Sequence, residues 1–195
     1  MASIHIFRHG ETIWNTEHRA QGSKDSPLTD NGKAQAIHAR FHIAQIPFDA
    51  AYSSNSGRAM DTLDILLNGM PAQKFTLSEL GEMDMGCWEG MTFDEIACQY
   101  GEQYKQFRLN PEDYKSVGGE SFEDLKLRVN RVIRHLLDKH SGQQVLVVTH
   151  GMFLRTLQVI AKKAEISELW NLSPINNLSY FVLSEHNGSF QLEKR

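Results

Sequence analysis

Short apolar runs alternate along the chain with longer stretches in which apolar residues recur at helical spacing. The runs predict β-strands, because short apolar segments bounded by turn signals are typical of buried strands. The predicted strands cover residues 4–7, 49–53, 74–80, 145–148, 178–183 and 190–192. The last two flank Asn187-Gly188, a pair that favours a tight hairpin turn. We therefore expect the sheet to end in an antiparallel edge.

Helical periodicity fills the intervals between these strands. The predicted helices run from 33 to about 45, from Ser54 or Asn55 as the N-cap to about 68, from Thr92 onward, from Ser121 to about 140, and from 152 to 161. In the second of these helices, Met60 is expected to face the core together with the leucines that follow it.

Strands that alternate with helices indicate a three-layer α/β/α sandwich with a mostly parallel central sheet and an antiparallel edge strand. A length of 195 residues suits one compact domain, so we expect residues 1–195 to form a single domain. Residues 81–119 depart from the alternation. We predict that they form a helical insertion between the regular elements, called the excursion below, with two polar helical pieces and Asn110-Pro111.

Composition narrows the range of partners. The formal net charge is -4 and the sequence pI is about 6.1, so the chain has no overall basic character, which argues against nucleic acid or an anionic membrane as a partner. No apolar run approaches the ~20 residues that span a bilayer. Two cysteines and the lack of a secretory leader favour the reducing cytoplasm. Any anion-binding site must therefore be local.

The sequence places His-Gly after two of the predicted strands. The first occurrence is Arg8-His9-Gly10, and the second is Thr149-His150-Gly151. In a parallel α/β sheet, residues at the carboxyl ends of the strands line the ligand crevice. If the two strands lie side by side their imidazoles meet, so His9 and His150 are candidate catalytic residues.

Arginines accompany these strand ends and favour an anionic ligand. Arg8 carries a planar guanidinium that can bind phosphate bidentately, and Gly10 lets the backbone approach a ligand closely. Arg58 begins the helix after the second strand, where a positive charge opposes the helix dipole unless it faces an anion. Arg155 is a more remote basic group in the helix after the second His-Gly. Together they predict a phosphate site.

Phosphoryl transfer to an imidazole nitrogen uses all of these groups. One neutral histidine attacks phosphorus, while the arginines and the second histidine stabilise the charge on the equatorial oxygens. The leaving oxygen needs a proton. Three acids are candidate donors, and the sequence does not distinguish them: Glu82, Asp84 and Glu89. A metal ion is not expected, since two arginines repel a cation and the histidines lack metal-binding spacing.

The sequence segments that contain these residues resemble those of the histidine phosphatase superfamily, the phosphoglycerate mutase-like family. The matching blocks, in chain order, are 7–15, 21–22, 25–29, 53–54 with 58–59, 80–82 with 86 and 88–90, 118–121 and 148–151. They occur in the family's order and the match spans most of the chain, which makes the resemblance specific. Residues 55–57 depart from it, because relatives more often carry an apolar and then a basic residue before the arginine.

The resemblance implies a role for each matched residue. His9 would become phosphorylated, and Glu82 would protonate the leaving oxygen and then activate water. The phosphoryl group would be held by Arg8, Arg58 and His150. Other positions that would contact phosphate or the adjacent substrate are Asn15, Gln21, Gly22 and Gly151. No cofactor is implied.

Phosphatases and phosphoglycerate mutases of this family would use the same phosphohistidine. We expect a phosphatase that acts on a small-molecule phosphate monoester, because residues 81–119 lack an adjacent arginine pair and the chain is shorter than typical mutases. A cofactor-dependent mutase is the alternative, and a phospholigand-binding protein without turnover is a second one. The oligomeric state, monomer or homodimer, stays open.

Aromatic residues of the excursion have two possible uses. They either line a substrate pocket or pack beneath the two short helices. The residues are Trp88, Phe93, Tyr100, Tyr104, Phe107 and Tyr114. Outside the excursion, Trp170 is expected to be buried rather than to serve an interface.

Overall fold

A six-stranded sheet forms the centre of the computed structural model, which describes residues 2–195. The strands are β1 (Ser3–Arg8), β2 (Ala50–Ser53), β3 (Gln73–Thr76), β4 (Gln144–Thr149), β5 (Tyr180–His186) and β6 (Ser189–Lys194). Their spatial order is β3-β2-β4-β1-β5-β6. The first four pair in parallel, whereas β5 runs antiparallel to β1, and β6 pairs antiparallel with β5. The predicted fold class is confirmed.

Helices cover the sheet, and some of them lie in the loops at its carboxyl edge. They are α1 (Ile13–Thr16), α2 (Asp30–Ile43), α3 (Gly57–Leu67), α4 (Phe93–Gln99), α5 (Gly101–Leu109), α6 (Phe122–Lys139) and α7 (Gly151–Lys162). Short 3₁₀ turns occur at Ser78–Leu80, Gly86–Trp88, Pro111–Asp113 and Ile166–Asn171. Thr29, Thr92 and Ser121 cap α2, α4 and α6 with their side chains, as Ser and Thr commonly do.

Alternate residues of the central strands face two different apolar layers, as the pleat of a strand requires. Ile4 and Ile6 of β1 pack in the layer that contains the buried residues of α6 and α7. Phe7 faces the opposite layer, with Ile43 of α2 and Leu66 of α3. The sheet is therefore buried on both sides, and β1 and β4 lie at its centre.

The antiparallel edge is a hairpin that turns at Asn187 and Gly188. Both residues have positive φ angles, 49° and 73°, which a two-residue type I′ turn requires. Asn and Gly tolerate this left-handed region better than other residues. The predicted hairpin is confirmed.

The structure corrects three local predictions. Helix α3 begins after Ser56, not after Ser54 or Asn55, because the Ser54 hydroxyl is used by another partner described below. Met60 is 38% exposed rather than buried, since it points away from the layer that holds the leucines of α3. The third strand spans only Gln73–Thr76, and the rest of 74–80 folds into a 3₁₀ turn.

The excursion contains α4 and α5, with two of the 3₁₀ turns. That residues 1–195 form one domain stays a prediction. Within residues 2–195, none of the helices combines the length and the apolar character needed to cross a bilayer.

Candidate active site

His9 and His150 meet at the carboxyl ends of two neighbouring strands. Parallel pairing of β1 with β4 places Arg8 opposite Thr149, so the histidine that follows each strand lies at the same edge. The two ring centroids are 5.2 Å apart. The structure thus brings the two His-Gly turns together, as the sequence predicts.

His9 is buried and presents one ring nitrogen to a cavity. Its Nδ1 lies 2.7 Å from the carbonyl oxygen of Gly10, which can only accept, so Nδ1 carries the hydrogen. Burial lowers the pKa of His9 well below its ordinary value, and the charges of Arg8 and Arg58 lower it further. The ring is therefore neutral at pH 7, with an unprotonated Nε2.

His150 uses both ring nitrogens within the protein. Nη2 of Arg58 donates to its Nδ1 at 3.2 Å, so Nε2 carries the hydrogen and donates to Ser54 Oγ at 2.7 Å. The pKa of His150 lies well below its ordinary value because of burial and then the charge of Arg58. His150 is a neutral, fixed group beside His9.

Arg58 is 1% exposed and is anchored from several sides. Its Nη1 pairs with Asp25 Oδ1 at 2.9 Å, and its Nη2 also donates to the Gly22 carbonyl at 2.9 Å. A Cβ at Gly57 would meet the carboxyl end of Asp25, so that side chain would have to shift. Nε of Arg58 is buried without a hydrogen-bond partner in the part of the chain that the structure describes.

Arg8 shows the same feature at the end of β1. Its Nη1 donates to the Ile175 carbonyl at 2.9 Å, whereas its buried Nε has no partner among residues 2–195. Buried guanidinium donors rarely go unused, because an unpaired one costs free energy. The two orphaned Nε atoms of Arg8 and Arg58 therefore indicate a site for an anionic ligand.

The structure distinguishes the three candidate acids by what they bind. Glu82 lines the cavity, and its carboxyl accepts hydrogen bonds from the backbone N–H groups of Met152 and Phe153 in the first turn of α7. Asp84 accepts from Gly86 and shapes its own loop. Glu89 accepts from Ser23 and from Met85, so it ties two loops together. Of the three acids, Glu82 is the one that lines the cavity beside His9.

The remaining predicted residues lie around the same cavity. It is lined by Asn15, Gln21, Gly22 and Gly151. A Cβ at Gly151 would lie 3.5 Å from Arg8 Nε and 3.5 Å from Glu82 Oε2, so this glycine leaves room between the arginine and the acid. As the first residue of α7, Gly151 also has a backbone N–H without an intrahelical acceptor.

Two side-chain amides of the site are held by the loop after β1. Asn15 Oδ1 accepts from the Thr12 N–H and from Asn177 Nδ2, which directs the Asn15 NH₂ group away from them. Gln21 is hydrogen-bonded to the Thr12 hydroxyl at 2.9 Å. Asn177 also donates to the His9 carbonyl. The contact of Asn177 with Asn15 and His9 was not predicted from the sequence.

The cavity has a volume of about 250 Å³ and a strongly positive wall. Its lining includes five arginines, at positions 8, 19, 58, 108 and 155, and only one carboxylate, Glu82. Arg19 and Arg108 were not predicted, and Trp170 lines the cavity although burial was expected. Isolated arginines and one tryptophan carry no distinctive signal in a sequence.

The aromatic residues of the excursion divide between the two predicted uses. Phe93, Tyr104 and Phe107 line the cavity. Trp88 and Tyr114 are buried in the apolar layer beneath it, at 0% and 4% exposure. The excursion thus forms one wall of the cavity and has its own packed interior.

A larger depression of about 900 Å³ lies elsewhere, between α2 and β5. Its one buried histidine, His5, is hydrogen-bonded through both nitrogens, to Tyr180 at 2.6 Å and to Gln144 at 2.7 Å. Neither Arg8 nor Arg58 lines it. It does not have the anion-binding features of the smaller cavity.

Comparison with known proteins gives matches along nearly the whole chain. Residues 4–195 match the family model described as the histidine phosphatase superfamily (branch 1). Probable phosphoglycerate mutase GpmB of Salmonella paratyphi A is 32% identical over 157 residues, which are 80% of this chain and 73% of that protein.

Two solved structures are similar throughout. YhfR of Bacillus stearothermophilus is 33% identical, with a TM-score of 0.96, over 100% of this chain and 96% of its own. A phosphoserine phosphatase mutant from Entamoeba histolytica, in complex with phosphoserine, is 26% identical with a TM-score of 0.85, over 98% of this chain and 95% of its own.

Proposed function

The chain belongs to the histidine phosphatase superfamily, and from this premise we propose that it is a metal-independent phosphatase of a small-molecule phosphate monoester. The observation that carries the proposal is a buried, neutral His9 whose free Nε2 shares a cavity with the unpartnered Nε atoms of Arg8 and Arg58. A neutral imidazole beside fixed positive charge suits attack on a phosphate.

In the first step, the lone pair of His9 Nε2 forms a bond to phosphorus as the bond from phosphorus to the ester oxygen breaks. Glu82, acting as an acid, gives its proton to the leaving oxygen, so the alcohol departs neutral. Arg8 and Arg58 stabilise the charge on the equatorial oxygens, and His150 stands beside them. The product of this step is a phosphohistidine.

In the second step, the Glu82 carboxylate takes a proton from a water molecule as that water attacks phosphorus. The bond from phosphorus to His9 Nε2 breaks, and inorganic phosphate leaves. Glu82 is again protonated and His9 is again neutral, so the cycle closes. Asn15, Gln21, Gly22 and the N–H of Gly151 would contact the phosphate or the adjacent substrate.

The first test is phosphate release from p-nitrophenyl phosphate in the presence of EDTA. We expect turnover by the wild type and a loss of roughly 10³-fold or more in kcat for His9→Ala, because the nucleophile is removed. His135→Ala, which changes an exposed histidine of α6, serves as the matched control and should behave like the wild type.

Two outcomes would contradict the proposal. Activity that survives in His9→Ala would mean that another group attacks phosphorus. A wild type that binds phosphate esters without releasing phosphate would instead be a phospholigand-binding protein. Loss of activity on adding EDTA, restored by a metal ion, would overturn metal independence.

A phosphoglycerate mutase is the second candidate, favoured by the name of the GpmB relatives. To separate the two, 3-phosphoglycerate is incubated with and without catalytic 2,3-bisphosphoglycerate. Release of phosphate without isomerisation supports the phosphatase. Rapid isomerisation that depends on the bisphosphate would make the protein a mutase. The smaller cavity, with space for a compact ligand, is compatible with either substrate.

A further inference from the structure

Two of the three cavity arginines that are not proposed to hold the phosphoryl group are Arg108 and Arg155. Arg108 lies at the end of α5 and is exposed at the cavity mouth, whereas Arg155 lies on α7 and is half-buried. Their guanidinium carbons lie 4.7 and 4.9 Å from the centroid of the same ring, that of Trp170. Two positive charges from different helices therefore meet at one aromatic residue.

The tryptophan and Arg155 are both held in place by backbone carbonyls. Trp170 Nε1 donates to the Phe107 carbonyl at 2.6 Å, and Arg155 Nη1 donates to the Leu169 carbonyl at 3.0 Å. Each bond links residues of different elements. The Trp170 ring and the Arg155 guanidinium are thus positioned, and Arg155 keeps donors that these bonds do not use.

Neither charge is neutralised by a carboxylate of the described residues. Among residues 2–195, Arg108 and Arg155 form no ion pair with a carboxylate. Arg19, which lines the same cavity, pairs with Glu17 at 2.6 Å and with Glu95 at 3.6 Å. Arg134, which also stacks on an aromatic ring, lies 3.6 Å from Glu185.

Stacking alone does not explain this arrangement. A single cation over a tryptophan is favourable by about 0.5–2 kcal/mol, but a second one beside it adds repulsion between like charges. Burial and then the charge of Arg108 lower the pKa of Arg155, so its charge is less favourable there than in water although the guanidinium stays protonated. An anionic group between or beside the two would relieve this cost.

Electrostatic contact also places Arg155 near the phosphate end of the cavity. The charge of Arg155 is among the causes that lower the pKa of Arg8, after burial and Arg58. A volume of about 250 Å³ leaves space for only a compact molecule between the two ends. One small ligand can therefore reach both pairs of arginines.

We propose that Arg108 and Arg155, stacked on Trp170, form a second anion subsite, so that the preferred substrate is a small phosphate monoester that also carries a carboxylate. This inference rests on the proposed function for the position of the phosphate. The carboxylate would accept hydrogen bonds from the two guanidinium edges, and an ester with a neutral hydroxyl at that point would leave both charges unpaired.

The test compares two esters that differ at one carbon. 3-Phosphoglycerate carries a carboxylate where glycerol 3-phosphate carries a hydroxymethyl group. We expect the wild type to favour 3-phosphoglycerate by about tenfold or more in kcat/KM for phosphate release. Arg155→Gln and Arg108→Gln should each lower this ratio about tenfold, whereas Arg134→Gln, a stacked arginine remote from the cavity, should leave it unchanged.

The ratio is independent of the fraction of active enzyme, so partial loss of folding in a variant does not mimic the effect. A wild-type ratio near one, or a ratio that Arg155→Gln and Arg108→Gln leave unaltered, overturns the subsite. Phosphate release from glycerol 3-phosphate that is lost in His9→Ala would still uphold the proposed function in that case.

A binding measurement keeps the two proposals separate if turnover is absent. Titration calorimetry of His9→Ala with each ester gives a ratio of Kd values without any chemistry. Tighter binding of 3-phosphoglycerate by about tenfold, lost in the double variants with Arg155→Gln or Arg108→Gln, supports the subsite. Equal Kd values for the two esters overturn it.

Discussion

The two strand-His-Gly turns are alike in sequence and differ in how the fold holds them. After β1, His9 is fixed by a bond to the next residue, Gly10, and its second nitrogen stays free. After β4, His150 is held at both nitrogens by Ser54 and Arg58, which come from another part of the chain. A local bond leaves one nitrogen available for attack, whereas two long-range bonds make the other ring a fixed support.

The largest difference between the two histidines is expected when kcat and phosphoenzyme formation are measured for His150→Ala and His9→Ala. Because His150 holds Arg58 beside His9 but would form no bond to phosphorus, its loss should lower kcat by roughly 10²–10³-fold while the acid-labile phosphoenzyme still forms. His9→Ala should give no phosphoenzyme at all. Quenched reactions with a ³²P-labelled substrate measure both.

If His9→Ala still forms a phosphoenzyme, or if His150→Ala binds substrate fully and forms none, the roles assigned to the two histidines would have to be reversed. His135→Ala, which changes a histidine outside the cavity, is the control for handling and labelling.

A smaller effect is expected at the residue that holds His150. Ser54→Ala leaves the Nε2–H of His150 without its acceptor, so the ring can tilt away from the phosphate. We expect kcat to fall about tenfold with little change in KM, and Ser54→Thr, which keeps the hydroxyl, to restore most of it. An equal loss in both variants would mean that the effect is one of packing at a buried position.

The smallest effect concerns stability against pH. Burial lowers the folded-state pKa values of His9 and His150 below the ordinary 6.5, so below this pH the unfolded chain binds protons that the native protein does not. The contribution of the two histidines to the free energy of unfolding should therefore be complete above pH 6.5 and decrease as the pH drops below it. Denaturant titrations between pH 7.5 and 5 measure the slope.

In His9→Asn and His150→Asn the dependence below pH 6.5 should become shallower, because one titrating group is removed in each case. An unaltered slope in both variants would show that other groups govern acid unfolding. The same shift keeps His9 unprotonated, so the acid limb of kcat/KM should not begin at pH 6.5 on account of this residue.

Much of the fold followed from local patterns. Continuous apolar strands, Ser and Thr caps and the Asn187-Gly188 turn each act over a few residues. The hairpin and the strands formed close to their predicted positions, apart from the shortened third strand. Helix α3 was placed too early because Ser54 is a good N-cap by type. Its hydroxyl binds His150 instead, which is a contact across 96 positions that no local pattern contains.

Fewer features of the site than of the fold could be predicted from the sequence. The acids Glu82, Asp84 and Glu89 occupy one short segment, and only their three-dimensional partners distinguish them. Arg108 and Trp170 lie on different elements, and their contact depends on how α5 packs against the turn at Ile166–Asn171. Side chains that meet through packing leave no spacing rule along the chain.

The sequence by itself determined the order of strands and helices, the family and the two His-Gly turns at strand ends. These follow from periodicity, capping and backbone freedom, which depend on near neighbours along the chain. The tertiary structure decided which histidine keeps a free nitrogen, which acid faces it and which arginines stay without a carboxylate. Those properties depend on burial and on the distance between groups far apart in sequence, and only folding sets them.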